Sequence, residues 1–399
     1  MSKTIVIIGG GAAGFFGAIT SAKTHPDAHV ILLEKTRSLL TKVKVSGGGR
    51  CNVTHSCFEP KELIKNYPRG SKELLGSFHQ FQPRDTIEWF ESRGVSIKKE
   101  DDGRMFPVTD KSETIINCLQ EEAKKTGVEI RLQQAIEKIE RKETGFEIHF
   151  SASPPLICDK ILLATGSSGE GYRLAESLGH TIVPPVPSLF TFNIPDSPLH
   201  ELSGISADPV ALTIVGTNLK QQGPLLITHW GFSGPAALKT SAWGARTLHQ
   251  MGYKATLSIN WLPKQDNLSA YLLLLKERNA HQNISLLNPP TLAKQLWKEL
   301  LIKAKIDPHK KMKDLSNKQL TDLASFLQND LYKIDGKTTY KQEFVICGGI
   351  ALNEVNFKTM ESKKCPGLYF AGEILDIDGV TGGFNFQNAW TTGWIAGSN

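Results

Sequence analysis

Short unbroken apolar runs alternate with glycine turns at the start of the chain. Ile5-Val6-Ile7-Ile8 and Val30-Ile31-Leu32-Leu33 have no polar position. That is the pattern of strands covered on both faces, as in a parallel sheet, rather than on one. Between them lie Gly9-Gly10-Gly11-Ala12-Ala13-Gly14 and a helix-like stretch from Phe15 to Lys23. Leu74, Leu75, Phe78, Phe81, Ile87, Trp89 and Phe90 recur near helical spacing and predict a helix over 72–94. A second amphipathic helix is predicted over 112–126. Strand patterns fall at 95–98, 105–108, 128–132, 136–139 and 146–150, and Lys160 to Gly166 reads as a buried strand ending in a glycine turn.

The texture changes at Pro184-Pro185-Val186-Pro187, which marks a crossover because proline cannot sit inside a central strand. Strands are then expected at 189–194, 210–215, 223–228 and 255–261, with one helix over about 234–250. Residues 268–278, 291–304 and 316–328 are helical in pattern. Phe344 to Gly349 and Gly367 to Glu373 return to buried-strand character, and a final helix covers about 385–397. The fold class predicted is α/β, with one domain interrupted by another. The expected segments are 1–187 (first part of the outer domain), 188–265 (β-rich), 266–330 (helical), 331–342 (return strand of the insert) and 343–399 (second part of the outer domain).

The first two strands carry chemistry. Strand, Gly9-x-Gly11-x-x-Gly14, helix, strand and then Glu34, twenty residues past Gly14, form a dinucleotide fingerprint in full context. Gly9 permits the tight turn, Gly11 lets backbone approach a pyrophosphate, and Gly14 lets the helix pack on the strand. Ala12 and Ala13 complete a helix N-terminus that favours anions. Glu34 accepts from ribose hydroxyls.

Composition narrows the classes. The chain has 399 residues, 40% hydrophobic and 22% charged, with a net charge of +6, which is ordinary for a globular enzyme. The basic residues are scattered, which argues against nucleic acid as a partner. No apolar run reaches the length of a membrane span. A strand beginning at Thr4 leaves no room for a signal peptide, and six cysteines without regular spacing suit a reducing compartment, so a cytoplasmic location is expected.

Three more glycine segments stand far from the first: Ser46-Gly47-Gly48-Gly49-Arg50-Cys51-Asn52, Ala164-Thr165-Gly166, and Ala371-Gly372-Glu373 followed by Thr381-Gly382-Gly383-Phe384-Asn385. A single mononucleotide needs only the first. A large cofactor in an extended pose needs backbone approach along its whole length, so FAD fits better than NAD.

These residues carry a resemblance. The fingerprint with Glu34-Lys35, the Ser46–Asn52 segment, Gly103-Arg104-Met105-Phe106-Pro107, Thr228-His229-Trp230-Gly231-Phe232-Ser233-Gly234-Pro235, Thr359-Met360-Glu361-Ser362-Lys363 and Gly367–Glu373 resemble the BaiN/RdsA family of FAD-dependent oxidoreductases, which includes the aminoacetone oxidase-like flavoproteins. The likeness runs from about residue 4 to 397. It implies a Rossmann-type FAD-binding domain built from both chain ends, with an inserted β-rich domain and a small helical domain. One departure stands out: after Gly166 the chain runs Ser167-Ser168-Gly169-Glu170-Gly171-Tyr172, where family members usually have a longer glycine-rich loop.

Roles follow for named residues. Non-covalent FAD is expected against Gly9, Gly11, Ala12, Ala13, Gly14, Glu34, Lys35, Lys42, Gly48, Gly49, Arg50, Cys51, Asn52, Ala135, Thr165, Gly166, Gly372, Glu373, Gly382, Gly383, Phe384 and Asn385. Arg50 and Asn52 are expected beside pyrophosphate and flavin, with a surface salt bridge the alternative for Arg50. Asn385 is the expected N-cap of the final helix, whose N–H groups would face the flavin pyrimidine edge. His229 is the candidate catalytic residue, and Arg104, Phe106 and Trp230 the candidate substrate pocket. No metal site is expected, because Cys51, Cys57, His55 and His79 match no common ligand spacing.

The activity expected is hydride transfer between FAD and a small molecule, with NADPH, NADH or dioxygen as second partner; the oligomeric state is left open. One rival is a flavin disulfide reductase using Cys51 and Cys57. Their Cys-x5-Cys spacing is not the usual Cys-x4-Cys, and residues 187–340 hold no second Gly-x-Gly-x-x-Gly. Other rivals are a fumarate-reductase-like or ketosteroid-dehydrogenase-like enzyme and a flavoprotein acting in RNA modification.

Overall fold

A computed structural model describes residues 3–338 and 345–399. They divide into two compact units, Met1–Pro187 with Lys341–Asn399, and Ser188–Tyr340. The crossover falls at the proline run, which forms a strand, Ile182–Ser188, in a two-stranded sheet with Val345–Ile350 among the described residues. The expected 342/343 boundary and Phe344 lie outside the described residues.

The first unit is built on a seven-stranded sheet. From one edge its order is Val355–Asn356, Glu361–Ser362, Leu368–Phe370, Lys160–Leu163, Thr4–Ile8, His29–Leu33 and Glu129–Arg131. The last five run parallel. Ile5 to Ile8 and Val30 to Leu33 are all buried, as their unbroken apolar runs require. The chain leaves the central strand in one direction to His29–Leu33 and reaches Lys160–Leu163 on the other side. The crevice at the carboxyl ends of these strands is where such sheets bind ligands.

Two helices close one face of the sheet, Ala12–Thr24 and Phe384–Gly397. They touch backbone to backbone. A methyl group on Gly393 would lie 2.6 Å from Ala13 O, and one on Gly397 would lie 2.5 Å from Gly17 O. Any larger residue there forces the helices apart. A small sheet of Thr54–His55, Arg104–Pro107 and Ile97–Lys99 stands beside them.

The stretch expected as one helix over 72–94 is two, Ser71–Gln80 and Pro83–Glu91. Pro83 has no N–H for a continuing helix but suits a first helical position, and Gln82 with Asp85 forms a capping box around it. The helix expected over 234–250 likewise divides at Gly244 into Pro235–Trp243 and Ala245–Gln250.

The second unit holds a seven-stranded antiparallel sheet with helices Leu268–Arg278, Lys294–Lys303 and Asn317–Gln328. The expected boundary at 266 between a β-rich and a helical domain does not separate two bodies. Leu212, Ile259 and Trp261 of the sheet share one core with Leu272, Trp297, Leu300 and Leu323 of the helices. The buried Asp330 fastens the two layers. It pairs with Lys303 and accepts from Trp261 Nε1 at 3.0 Å and Tyr332 Oη at 2.6 Å.

Candidate functional site

The Gly9–Gly14 turn is tightly packed at both ends and open in the middle. Gly9 has φ +116°, and a methyl group there would lie 2.4 Å from Ala164 O. A methyl group on Gly14 would lie 1.9 Å from Gly9 O. One on Gly11 would meet no heavy atom within 4 Å, so this face of the turn is open to a ligand. Gly11 is the N-cap of the first helix, and neither a capping side chain nor an acid in the first turn competes for that end.

Glu34 stands beside it. Its Oε2 accepts from Gly10 N at 2.8 Å and its Oε1 from Thr36 N at 2.8 Å. Two backbone bonds orient the carboxylate and leave lone pairs for a vicinal diol. Residues 131–135 run alongside, with Gln134 N donating to Glu34 O at 2.9 Å, so the half-buried Ala135 lies near this acid. Lys35 turns away to Glu170, at 2.5 Å.

The second glycine segment is a run of left-handed residues: Gly47, Gly48, Gly49 and Cys51 have φ between +56° and +83°. Methyl groups on Gly48 or Gly49 would again meet open space, whereas Gly47 is packed on Phe106. Cys51 is fully buried and its thiol is pushed up to about 12 by that burial. Burial, with Glu62 adding to it, also raises the half-buried Cys57. Both thiols stay protonated near neutral pH, which removes the nucleophile a disulfide reductase needs. Arg50 takes the alternative weighed for it. Its guanidinium lies 4.0 Å over the Phe106 ring and 2.6 Å from Glu100. Phe106 is fully buried beneath it, so that ring supports the glycine loop instead of lining a substrate pocket. Arg104 does line an open pocket of about 430 Å³, together with Glu100, Asp101 and Asp102.

The third and fourth segments meet at the carboxyl ends of the neighbouring strands. A methyl group on Gly166 would lie 3.7 Å from Glu373 Oε2, and one on Gly372 would lie 2.9 Å from the Ala13 methyl. Glu373 pairs with Lys42. These contacts bring Thr165, Gly166, Gly372, Glu373 and Lys42 to the Gly9–Gly14 turn.

The final helix departs from expectation in its cap. Gly383, with φ +92°, is the N-cap, and Asn385 is not. The Asn385 amide clamps the backbone of one residue, donating to Gly379 O at 2.9 Å and accepting from Gly379 N at 2.8 Å. Asn52, with its amide turned to match its neighbours, accepts from Gly383 N at 3.0 Å and donates to Thr54 O at 3.0 Å. The Gly383 N–H therefore belongs to Asn52, and a pyrimidine edge has to be met by the following amides. Phe384 stacks on His55, ring centres 4.7 Å apart.

Three site groups were not legible in the sequence. His55 lies against Phe384, Gly382 and Gly103, and its Nε2 is 3.2 Å from Asp102 O. Asn388 is fully buried, and both ends of its amide lack a hydrogen-bond partner among the described residues. The Tyr172 hydroxyl is buried in the same unpartnered state. Orphaned buried polar groups around an open glycine cradle are the features a polar ligand completes. With the Glu34 carboxylate fixed beside that cradle by Gly10 N and Thr36 N, the residues present fit an extended dinucleotide.

His229 and Trp230 lie in the second unit, on the turn between strands Lys220–Thr228 and Gly231–Ser233, with His229 exposed. Among the described residues no helix is long and apolar enough to cross a membrane.

Comparison with known proteins agrees with this geometry. A family model described as "HI0933-like protein Rossmann domain" matches residues 3–399. A ribosomal RNA dihydrouridine synthase of Escherichia coli is 33% identical over 98% of this chain and 96% of its own. A 3-dehydro-bile acid delta(4,6)-reductase of Clostridium scindens is 29% identical over 98% of each chain. The solved structure of 3-ketosteroid-delta4-(5alpha)-dehydrogenase from Rhodococcus jostii shares the fold at a TM-score of 0.54, with 14% identity, over 100% of this chain and 96% of that one.

Proposed function

The chain belongs to the HI0933-like Rossmann family and is an FAD-dependent oxidoreductase, and we propose that it reduces a carbon–carbon double bond conjugated to a carbonyl. The observation that carries this reading is what two full-length relatives have in common. One is named for making dihydrouridine and the other for reducing a delta(4,6) 3-dehydro bile acid. Both names denote saturation of an alkene polarised by a carbonyl.

When bound and reduced, FAD would supply the hydride. Glu34 would hold the ribose, the Gly9–Gly14 helix N-terminus would meet the pyrophosphate, and the Gly382–Phe384 turn would lie at the flavin edge. The protein also has to deliver a proton to the second carbon. We assign that proton to an imidazole. His55 is favoured because it stacks on Phe384 beside Gly382; His229 is the second candidate. NADPH or NADH would be the electron source for the bound flavin.

The substrate we favour is a uridine of ribosomal RNA, on the 33% identity to the synthase. A second reading, a small uncharged enone, is favoured by the open pocket at Glu100, Asp101, Asp102 and Arg104, where carboxylates outnumber the guanidinium and leave no excess positive charge for phosphate.

The test is anaerobic mixing of the photoreduced holoenzyme with unmodified ribosomal RNA or with a panel of cyclic enones. Flavin reoxidation by RNA, with a gain of two hydrogens in one nucleotide, supports the first substrate; reoxidation by enones alone supports the second. A reduced flavin that neither reoxidises overturns the reductase reading.

A further inference from the structure

On the reading that FAD is the cofactor, we propose that the Tyr172 hydroxyl is a ligand of its ribityl–pyrophosphate stretch. Tyr172 follows the short segment after Gly166, where related proteins usually carry a longer glycine loop. Tyr172 is 7% exposed, and its Oη is buried without a hydrogen-bond partner among the described residues. A phenol is a hydrogen-bond donor as well as an acceptor, and burying one unpaired costs stability in the ligand-free protein.

Its surroundings fix where the missing partner lies. Tyr172 sits in the first turn of the helix Gly169–Ser177, which starts six residues past the strand Lys160–Leu163. That turn is pressed on the strand end, since a methyl group on Gly171 would lie 1.9 Å from Thr165 Oγ1. Ser168 Oγ caps it by accepting from Gly171 N at 3.0 Å, and the Glu170–Lys35 pair ties it to the residue after Glu34. The phenol therefore belongs to the crevice at the carboxyl ends of the parallel strands.

Charge agrees with that placement. Burial raises the Tyr172 phenol, and Glu373 and then Asp376 add to the shift. The phenol is thus held neutral, as a donor, within reach of the acids that follow the last parallel strand. Glu373 is itself paired with Lys42 and borders Gly166. A donor among Gly166, Glu373 and Lys42 is placed to meet a ribityl hydroxyl or a phosphate oxygen of a dinucleotide stretched from the Gly9–Gly14 turn toward Gly382.

The experiment compares apoprotein and holoprotein of wild type, Y172F and Y172L. FAD is titrated into each apoprotein by fluorescence quenching, and the melting temperature of each form is recorded. Y172F is expected to bind FAD about tenfold more weakly, the effect of one hydrogen bond, while its apoprotein melts at or above wild type. Y172L removes the ring as well and shows what lost packing does to apo stability. Unchanged FAD affinity in Y172F overturns the proposal. So does an apo melting temperature that falls in step with affinity, because the hydroxyl then has its partner inside the protein. Failure of wild-type apoprotein to take up FAD overturns the cofactor reading itself and is told apart on that ground.

Discussion

Thr54 and Gln387 are separated by 333 positions, yet the Thr54 hydroxyl donates to Gln387 Oε1 at 2.6 Å with both side chains fully buried. Thr86 donates to the same oxygen at 3.0 Å, and Gln387 Nε2 donates to Thr391 Oγ1 at 3.0 Å. Trp390 Nε1 adds a bond to Val53 O at 2.9 Å. This buried polar ladder fastens the final helix to the segment bearing Asn52 and His55. The glycines at the helix start are therefore positioned from below by side chains with no contact to solvent.

Replacing Gln387 with leucine strands the Thr54 and Thr86 hydroxyls. Each unpaired buried hydroxyl costs about 1–3 kcal/mol, so a loss of about 2–6 kcal/mol is expected. Urea unfolding of the apoprotein measures it. A change below about 0.5 kcal/mol shows that water replaces the amide.

Glu34→Ala should weaken FAD by about ten- to a hundredfold, the worth of a charge-assisted hydrogen bond. Glu34→Gln, which keeps an oxygen for one backbone N–H, should fall between. Equilibrium FAD titration distinguishes the three proteins. Equal affinities exclude Glu34 as the ribose acid.

His180 supplies a pH dependence. It is buried, with Nδ1 3.1 Å from Glu354 and Nε2 2.9 Å from Ser362 Oγ, and burial lowers its pKa. In the unfolded chain it titrates near about 6.5. The unfolded state therefore binds the proton first, so the contribution is present above that pH and is lost as pH falls through the lower folded value. Wild type should lose stability on acidification below about pH 6.5. His180→Asn should show a flatter slope there in urea midpoints taken at successive pH values. An unchanged slope removes His180 as the cause.

Two-electron reduction should give no thiolate–flavin charge-transfer band, because Cys51 and Cys57 both have raised pKa values. An anaerobic dithionite titration checks this in the long-wavelength absorbance. A band that disappears in a Cys51→Ser, Cys57→Ser protein restores the disulfide-reductase reading.

Local pattern made the parallel strands legible, because Ile5–Ile8 and Ile161–Leu163 are buried and read as unbroken apolar runs. The glycine segments were legible because an open or left-handed backbone excludes most other residues. What was missed depends on partners that a residue type alone does not announce, one local and the others distant in sequence. Asn385 looked like a cap because asparagine often is one, but Gly379, brought close by the turn, claims its amide. Arg50 lies on a glycine loop, but Phe106 of the strand Arg104–Pro107 and Glu100 of the turn before it reach it from about fifty residues away. The helical part of the insert read as a separate domain because its own apolar stripes are strong. Its core is completed by Trp261 and Ile259 of the sheet, a contact no local window contains.

The close seating of Gly393 and Gly397 on the first helix has a consequence for biosynthesis. The turn at 9–14 leaves the ribosome early, but the helix that roofs it comes from codons 384–397. Until those are translated, Ala13 and Gly17 face solvent and the cradle lacks its Gly382–Phe384 side. The whole cradle therefore forms only once residues 9–17 and 382–397, nearly four hundred positions apart at their extremes, have met.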